Sequence, residues 1–111
     1  LAIHGNGQQK RNYIYTTDLG LGSLFALKKQ ATNKIITLVP KKSTKIIDLA
    51  KMIIKMTNSK SKIIFNKKKK RLDDFTSVFS YKNNKEKKLV IWRPNLTLED
   101  GLKKYIKSRI K

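Results

Sequence analysis

The sequence has 111 residues, of which 27 are Lys or Arg and 7 are Asp or Glu, giving a formal net charge of +20 at pH 7 with one histidine and no cysteine. That length predicts a single domain and leaves no room for a two-domain enzyme, and the lack of cysteine excludes disulfide frameworks, thiolate nucleophiles and sulfur-ligated zinc. A lone His4 rules out an imidazole metal cluster, and no apolar run approaches the ~18 residues of a membrane-spanning helix, so the expectation is a soluble, cytoplasmic chain.

Tyr13-Ile14-Tyr15-Thr16 is a short β-branched and aromatic run that predicts a strand, and Thr17-Asp18 after it can cap a helix carrying Leu19, Leu21, Leu24, Phe25, Ala26 and Leu27. Ile35 to Val39 is an uninterrupted apolar run closed by Pro40, the pattern of a strand buried on both faces in a parallel sheet. A second helix is predicted from Thr44, with Ile46, Leu49, Ala50 and Ile53 on one face and Lys45, Lys51 and Lys55 elsewhere. Asn58 and Ser59 break it, and Lys62 to Phe65 predicts a third strand. Residues 67–84 read as a basic and polar loop. A C-terminal helix is predicted over 98–110, because Thr97-x-x-Asp100 is a capping box and Leu98, Leu102, Tyr105, Ile106 and Ile110 fall on one stripe. Three strands alternating with helices, without an internal repeat, predict an α/β arrangement too small for a full doubly wound sheet.

The charge supports two readings. Twenty-three of the 27 basic residues are lysine, and only Arg11, Arg71, Arg93 and Arg109 are arginine, although the planar guanidinium is the better group for paired phosphate oxygens. Abundant Lys, Ile and Asn together are what AT-rich coding DNA produces without selection for binding. The rival reading is a small basic protein holding nucleic acid or another polyanion non-specifically, chiefly through Lys67 to Arg71. That run lacks interleaved aromatics for base stacking, which favours a solvated lysine cluster. Leu1 fits either a processed initiator or a piece of a longer chain.

The order of motifs resembles the C-terminal third of the NAD-dependent epimerase/dehydratase family, the extended short-chain dehydrogenases that act on nucleotide-sugars. Gly5-Asn-Gly7-Gln-Gln-Lys-Arg11-Asn-Tyr13-Ile-Tyr15-Thr-Thr-Asp18-Leu19 is similar to that family's Gly-x-Gly followed by Arg-Asp-Tyr/Phe-Ile-Tyr/His-Val-x-Asp-Leu/Val. Thr37 to Ala50, Arg71-x-x-Asp74, Lys87 to Pro94 and Thr97 to Leu102 resemble its next four elements in order. The resemblance implies one partial domain over 1–111, a nucleotide-sugar-binding region without the Rossmann core. It implies a substrate-binding set of Arg11 and Arg71 on the pyrophosphate of a nucleotide-sugar, UDP-linked by expectation. Asp74 would take a ribose hydroxyl, and Tyr13 would pack beside the nucleotide or in the core. It also implies NAD and a homodimer for the intact enzyme, with neither the cofactor site nor a catalytic residue in this chain, and no membrane partner.

Several residues weigh against full competence. Asn12, Thr17, Val39 and Ile91 stand where the family has Asp, a second Asp-like residue, glycine and glycine, and Tyr81-Lys82 replaces its Ala-Asp. Gly5-x-Gly7 and Gly20-x-Gly22 each lack the third glycine of a dinucleotide fingerprint. Tyr81-x-x-x-Lys85 matches the catalytic Tyr-x-x-x-Lys literally, but in a lysine-rich loop, and is not taken as a site. His4 reads as a surface or turn residue, Tyr15 and Phe65 as core, and Trp92 and Pro94 as anchors of the last loop.

Overall fold

In the computed structural model, residues 1–68 and 89–110 are described. They form β1 (Ala2–His4), β2 (Lys10–Arg11), α1 (Thr16–Phe25), a 3₁₀ turn (Lys29–Ala31), β3 (Ile35–Leu38), β4 (Thr44–Lys45), α2 (Ile46–Met56), β5 (Ile64–Asn66), β6 (Leu89–Trp92) and α3 (Leu98–Arg109). The chain is α/β. Its strands pair two by two: β1 with β5 in parallel, β2 with β4 antiparallel, and β3 with β6 in parallel, with Ile35 opposite Leu89 and Leu38 opposite Trp92.

The described residues thus hold six short strands where three were expected. Tyr13 to Tyr15 joins no ladder, and the pairing falls instead on Lys10–Arg11. The expected run at Ile35 does form a parallel strand, but Ile35 is 54% exposed rather than buried on both faces. The second helix begins at Ile46, because Thr44 and Lys45 are taken by β4.

α2 turns its predicted face inward: Ala50 is buried, Ile46, Leu49 and Ile53 are half-buried, and Lys51 and Lys55 are exposed. Its N-cap is Lys45, which offers no acceptor. Backbone carbonyls take that role, since Ile46 N–H donates to the Gln9 carbonyl at 3.0 Å and Ile47 N–H to the Gly7 carbonyl at 2.9 Å. The helix's first amides are therefore satisfied by the β1–β2 connection. Gly7 makes this approach possible: its φ is +71°, and a Cβ there would stand 3.1 Å from Ile47 Cβ.

The burial of α1 follows no apolar stripe. Its buried positions are Asp18 and Gly22, while Leu19, Leu21 and Leu24 are exposed. Apolar residues surround this helix, so periodicity could not choose a face; close contact did. A Cβ on Gly22 would lie 2.7 Å from Leu38 Cδ2 and 2.8 Å from Trp92 Cε3, so the bare glycine lets α1 settle onto the β3–β6 ladder. Asp18 is not a cap, the N-cap being Tyr15. Its carboxylate is 2% exposed and accepts from Leu96 N–H at 2.8 Å, tying α1 to the segment that enters α3.

The α3 capping box is built as its sequence implies, with Asp100 N–H donating to Thr97 Oγ1 at 3.1 Å and the Thr97 hydroxyl donating to Asp100 Oδ2 at 2.7 Å. Leu98, Leu102 and Ile106 are half-buried, whereas Tyr105 and Ile110 of the expected stripe are exposed. Val39, standing where a family glycine was expected, needs no positive φ: it is buried and donates its N–H to the Trp92 carbonyl at 3.1 Å. Arg93 Nη1 donates to the Pro40 carbonyl at 3.3 Å, closing the same end of the ladder. Among the described residues, Val39 joins Ile3, Ala31 and Ala50 as buried apolar residues. Phe65, expected in the core, is 42% exposed at the β1–β5 ladder.

Candidate functional site

Arg11 and Tyr13 lie two residues apart, at the end of β2 and in the segment that follows it. Arg11 Nη1 donates to the Lys10 carbonyl at 3.1 Å, and across the ladder Arg11 stands opposite Thr44. The two side chains feel each other electrostatically. Burial raises the Tyr13 phenol above the ordinary tyrosine value of 10.0, and the positive charge of Arg11 draws it part of the way back.

Tyr13 opens onto a groove of about 430 Å³ between the 13–16 segment and α3. Tyr15, Leu96, Leu102, Tyr105 and Arg109 complete its character, aromatic and aliphatic with one cation at the end. Gly101 admits the Tyr15 ring, since a Cβ there would meet Tyr15 Cδ2 at 3.2 Å. Arg109 lies over Tyr105, its guanidinium carbon 5.4 Å from the ring centroid. The volume falls in the range of small-molecule sites, and flat apolar walls with a guanidinium at the edge suit a planar ring joined to an anion.

Of the expected substrate-binding residues, the structure brings Arg11 and Tyr13 together; Arg71 and Asp74 lie outside the described residues, as do Tyr81 and Lys85 and most of the 67–84 loop. Sequence reasoning placed Tyr15 in the core and gave Tyr105 and Arg109 no role at a groove. The i, i+2 spacing of Tyr13 and Tyr15 was the available signal, whereas the approach of α3 has no local signature. His4 closes β1 and is exposed, with its carbonyl accepting from Gln9 Nε2 at 3.3 Å.

Neither glycine pair is built to hold a dinucleotide. Gly5-x-Gly7 follows β1 but leads into β2, and its backbone already serves α2; Gly20-x-Gly22 lies inside α1, against Leu38 and Trp92. Neither pair therefore has the strand-to-helix setting of a dinucleotide fingerprint. Among them no three His, Cys, Asp or Glu side chains gather as a metal site, and no helix is long and apolar enough to cross a membrane.

Comparison with known proteins gives likenesses to nucleotide-sugar dehydratases. The chain is 34% identical over 108 residues to human dTDP-D-glucose 4,6-dehydratase, covering 94% of this chain and 31% of that protein. It is 32% identical over 112 residues to the Arabidopsis thaliana trifunctional UDP-glucose 4,6-dehydratase/UDP-4-keto-6-deoxy-D-glucose 3,5-epimerase/UDP-4-keto-L-rhamnose-reductase, covering 94% of this chain and 15% of the relative. An uncharacterized protein of Methanocaldococcus jannaschii is 29% identical over 106 residues, or 95% of this chain and 31% of that protein. The chain thus spans about a third or less of the length of the curated relatives it matches. No family model and no solved structure matches.

Proposed function

We propose that this chain is the nucleotide-sugar-binding portion of an NAD-dependent epimerase/dehydratase and is not catalytic on its own. The observation that carries the reading is a groove lined by Tyr13, whose phenol feels the charge of Arg11, in a sequence whose similarity to dTDP- and UDP-glucose 4,6-dehydratases runs almost end to end. Arg11 supplies a planar cation for the diphosphate, whose paired oxygens accept two short charge-assisted hydrogen bonds. Tyr13 offers a flat face and a phenol that stays protonated at neutral pH. Arg71 and Asp74 complete the set, the first on the diphosphate and the second on a ribose hydroxyl. NAD belongs to the remainder of such an enzyme, where it accepts and returns the hydride; this chain's contribution is to hold and orient the substrate.

The test is calorimetric titration of UDP, UDP-glucose and the dTDP equivalents into the chain at physiological salt. Removing one charge-assisted hydrogen-bonding group costs about 1.5–3 kcal/mol, so Arg11→Ala should weaken binding about 10- to 100-fold, and Tyr13→Phe far less. Equal affinity of the wild type and Arg11→Ala for all four ligands would remove Arg11 from the site.

A second reading, polyanion binding through a lysine-rich surface, is favoured by one observation: Lys10 and Lys45 face each other directly across the β2–β4 ladder. It expects single-stranded oligonucleotides to bind with an affinity that falls steeply with salt and is indifferent to Arg11→Ala.

A further inference from the structure

The turn after β1 combines features that favour a covalent change in the chain itself. Asn6 is exposed and is followed by Gly7, which has no Cβ to shield its backbone nitrogen. The Asn6 side chain is already folded back along the main chain. Its Oδ1 accepts from the Gln8 N–H at 3.0 Å, an Asx turn that carries the amide carbon Cγ over the Asn6–Gly7 peptide bond. Among the described residues the Gly7 N–H donates to no acceptor, so no bond has to be given up before that nitrogen reacts. The start of α2 depends on this same residue, since the Gly7 carbonyl accepts from the Ile47 N–H at 2.9 Å.

We propose that Asn6 is a site of spontaneous deamidation and that the isoaspartate it yields releases the first turn of α2. The Gly7 nitrogen gives its proton to water or hydroxide and bonds to Asn6 Cγ. Negative charge gathers on Oδ1, where the Gln8 N–H already stands as its donor. The Cγ–Nδ2 bond then breaks, Nδ2 takes a proton and leaves as ammonia, and a five-membered succinimide joins the two residues. One water opens that ring. Attack at Cγ leaves aspartate in an unchanged backbone, whereas attack at the Asn6 carbonyl carbon leaves isoaspartate, with the main chain running through Cβ and Cγ. Either product puts an anion where a neutral amide stood, but only isoaspartate lengthens the backbone, by one carbon. That carbon enters just before the Gly7 and Gln9 carbonyls that hold Ile47 and Ile46. Gly7 has little slack to absorb it, with φ at +71° and a Cβ position only 3.1 Å from Ile47 Cβ. The displaced carbonyls leave helix amides that have no side-chain cap to replace them.

The test incubates the 111-residue chain at mildly alkaline pH, folded and in urea, and follows each asparagine by peptide mass spectrometry, with aspartate and isoaspartate forms separated by chromatography. Asn6 should convert about tenfold or more ahead of Asn58, which precedes Ser59, and at least as fast folded as in urea, because the turn holds the reacting atoms together. Asn6→Gln, whose longer side chain would have to close a six-membered ring, should stay unconverted over the same period. In the folded isoaspartate form the Ile46 and Ile47 amides should exchange hydrogen about tenfold faster or more. Asn6→Asp, with the same charge and an ordinary backbone, should leave them protected. Slower conversion of Asn6 in the folded chain than in urea, or Asn58 converting ahead of it, would overturn the site. Unchanged exchange at Ile46 and Ile47 in the isoaspartate form would overturn its effect on α2.

Discussion

Replacing Gly22 by alanine tests how α1 lies on its ladder. The new Cβ would stand 2.7 Å from Leu38 Cδ2 and 2.8 Å from Trp92 Cε3, well inside the ~3.5–4.0 Å of comfortable carbon contact. Leu38 can rotate away, but the indole edge moves only if the helix or the strand shifts, and such overpacking costs about 1–3 kcal/mol. Alanine also returns about 0.8–1 kcal/mol of helix propensity. Gly20 separates the two effects, because it lies in the same helix and a Cβ there meets nothing within 4 Å. Gly20→Ala should therefore stabilise by the propensity gain alone, with Gly22→Ala falling about 1–3 kcal/mol below it. Urea unfolding followed by far-ultraviolet circular dichroism measures the difference. Fluorescence of Trp92, the only tryptophan, reports whether the contact itself has moved. If both substitutions raise the midpoint equally, α1 does not rest on β3 and β6 through Gly22.

Asp18→Ala leaves the Leu96 N–H without its acceptor and should cost about 1–3 kcal/mol, read as a lower thermal midpoint; Asp18→Asn keeps an acceptor oxygen and should recover much of it. Thr97→Ala removes the α3 cap and should cost about 1 kcal/mol, with faster hydrogen exchange at the Asp100 amide as the local sign. Ultraviolet difference titration of wild type against Tyr13→Phe should place the Tyr13 midpoint above 10.0, and Arg11→Ala should move it higher still, because the lowering charge has gone. A folded-state pKa above the unfolded one means that this group's contribution to stability is fully present below pH 10 and is lost as pH rises through the folded value. A Tyr13 midpoint unmoved by Arg11→Ala would separate the two residues.

The helices were legible where a local pattern sufficed. The inward face of α2 follows from its apolar spacing, and the α3 start follows from Thr97 and Asp100 three residues apart. Arg11 and Tyr13 were linked through the family resemblance of the segment that carries both. What stayed hidden depended on partners far along the chain. Asp18 reads locally as a cap, and only the approach of Leu96, 78 residues away, turns it into a buried acceptor. The strands β2 and β4 are two residues each, too short for any alternation to declare them. Gly7 and Gly22 resemble halves of a phosphate-binding motif until their surroundings appear; one makes room for α2 and the other for a tryptophan. The groove escaped notice because Tyr105 and Arg109 come to it from α3.

The β2–β4 ladder carries a consequence for ionic conditions. Lys10 and Lys45 sit directly opposite each other on one face of a pair only two residues long, where like charges oppose pairing. Next to that seam, the backbone bonds from Ile46 to Gln9 and from Ile47 to Gly7 hold the start of α2. In dilute buffer the repulsion acts at nearly full strength; at about 0.15 M salt the screening length shrinks to about 8 Å, and exposed ammonium groups are largely hidden from more distant charges. Added salt therefore eases the Lys10–Lys45 opposition, and the seam that holds the start of α2 should tighten as ionic strength rises.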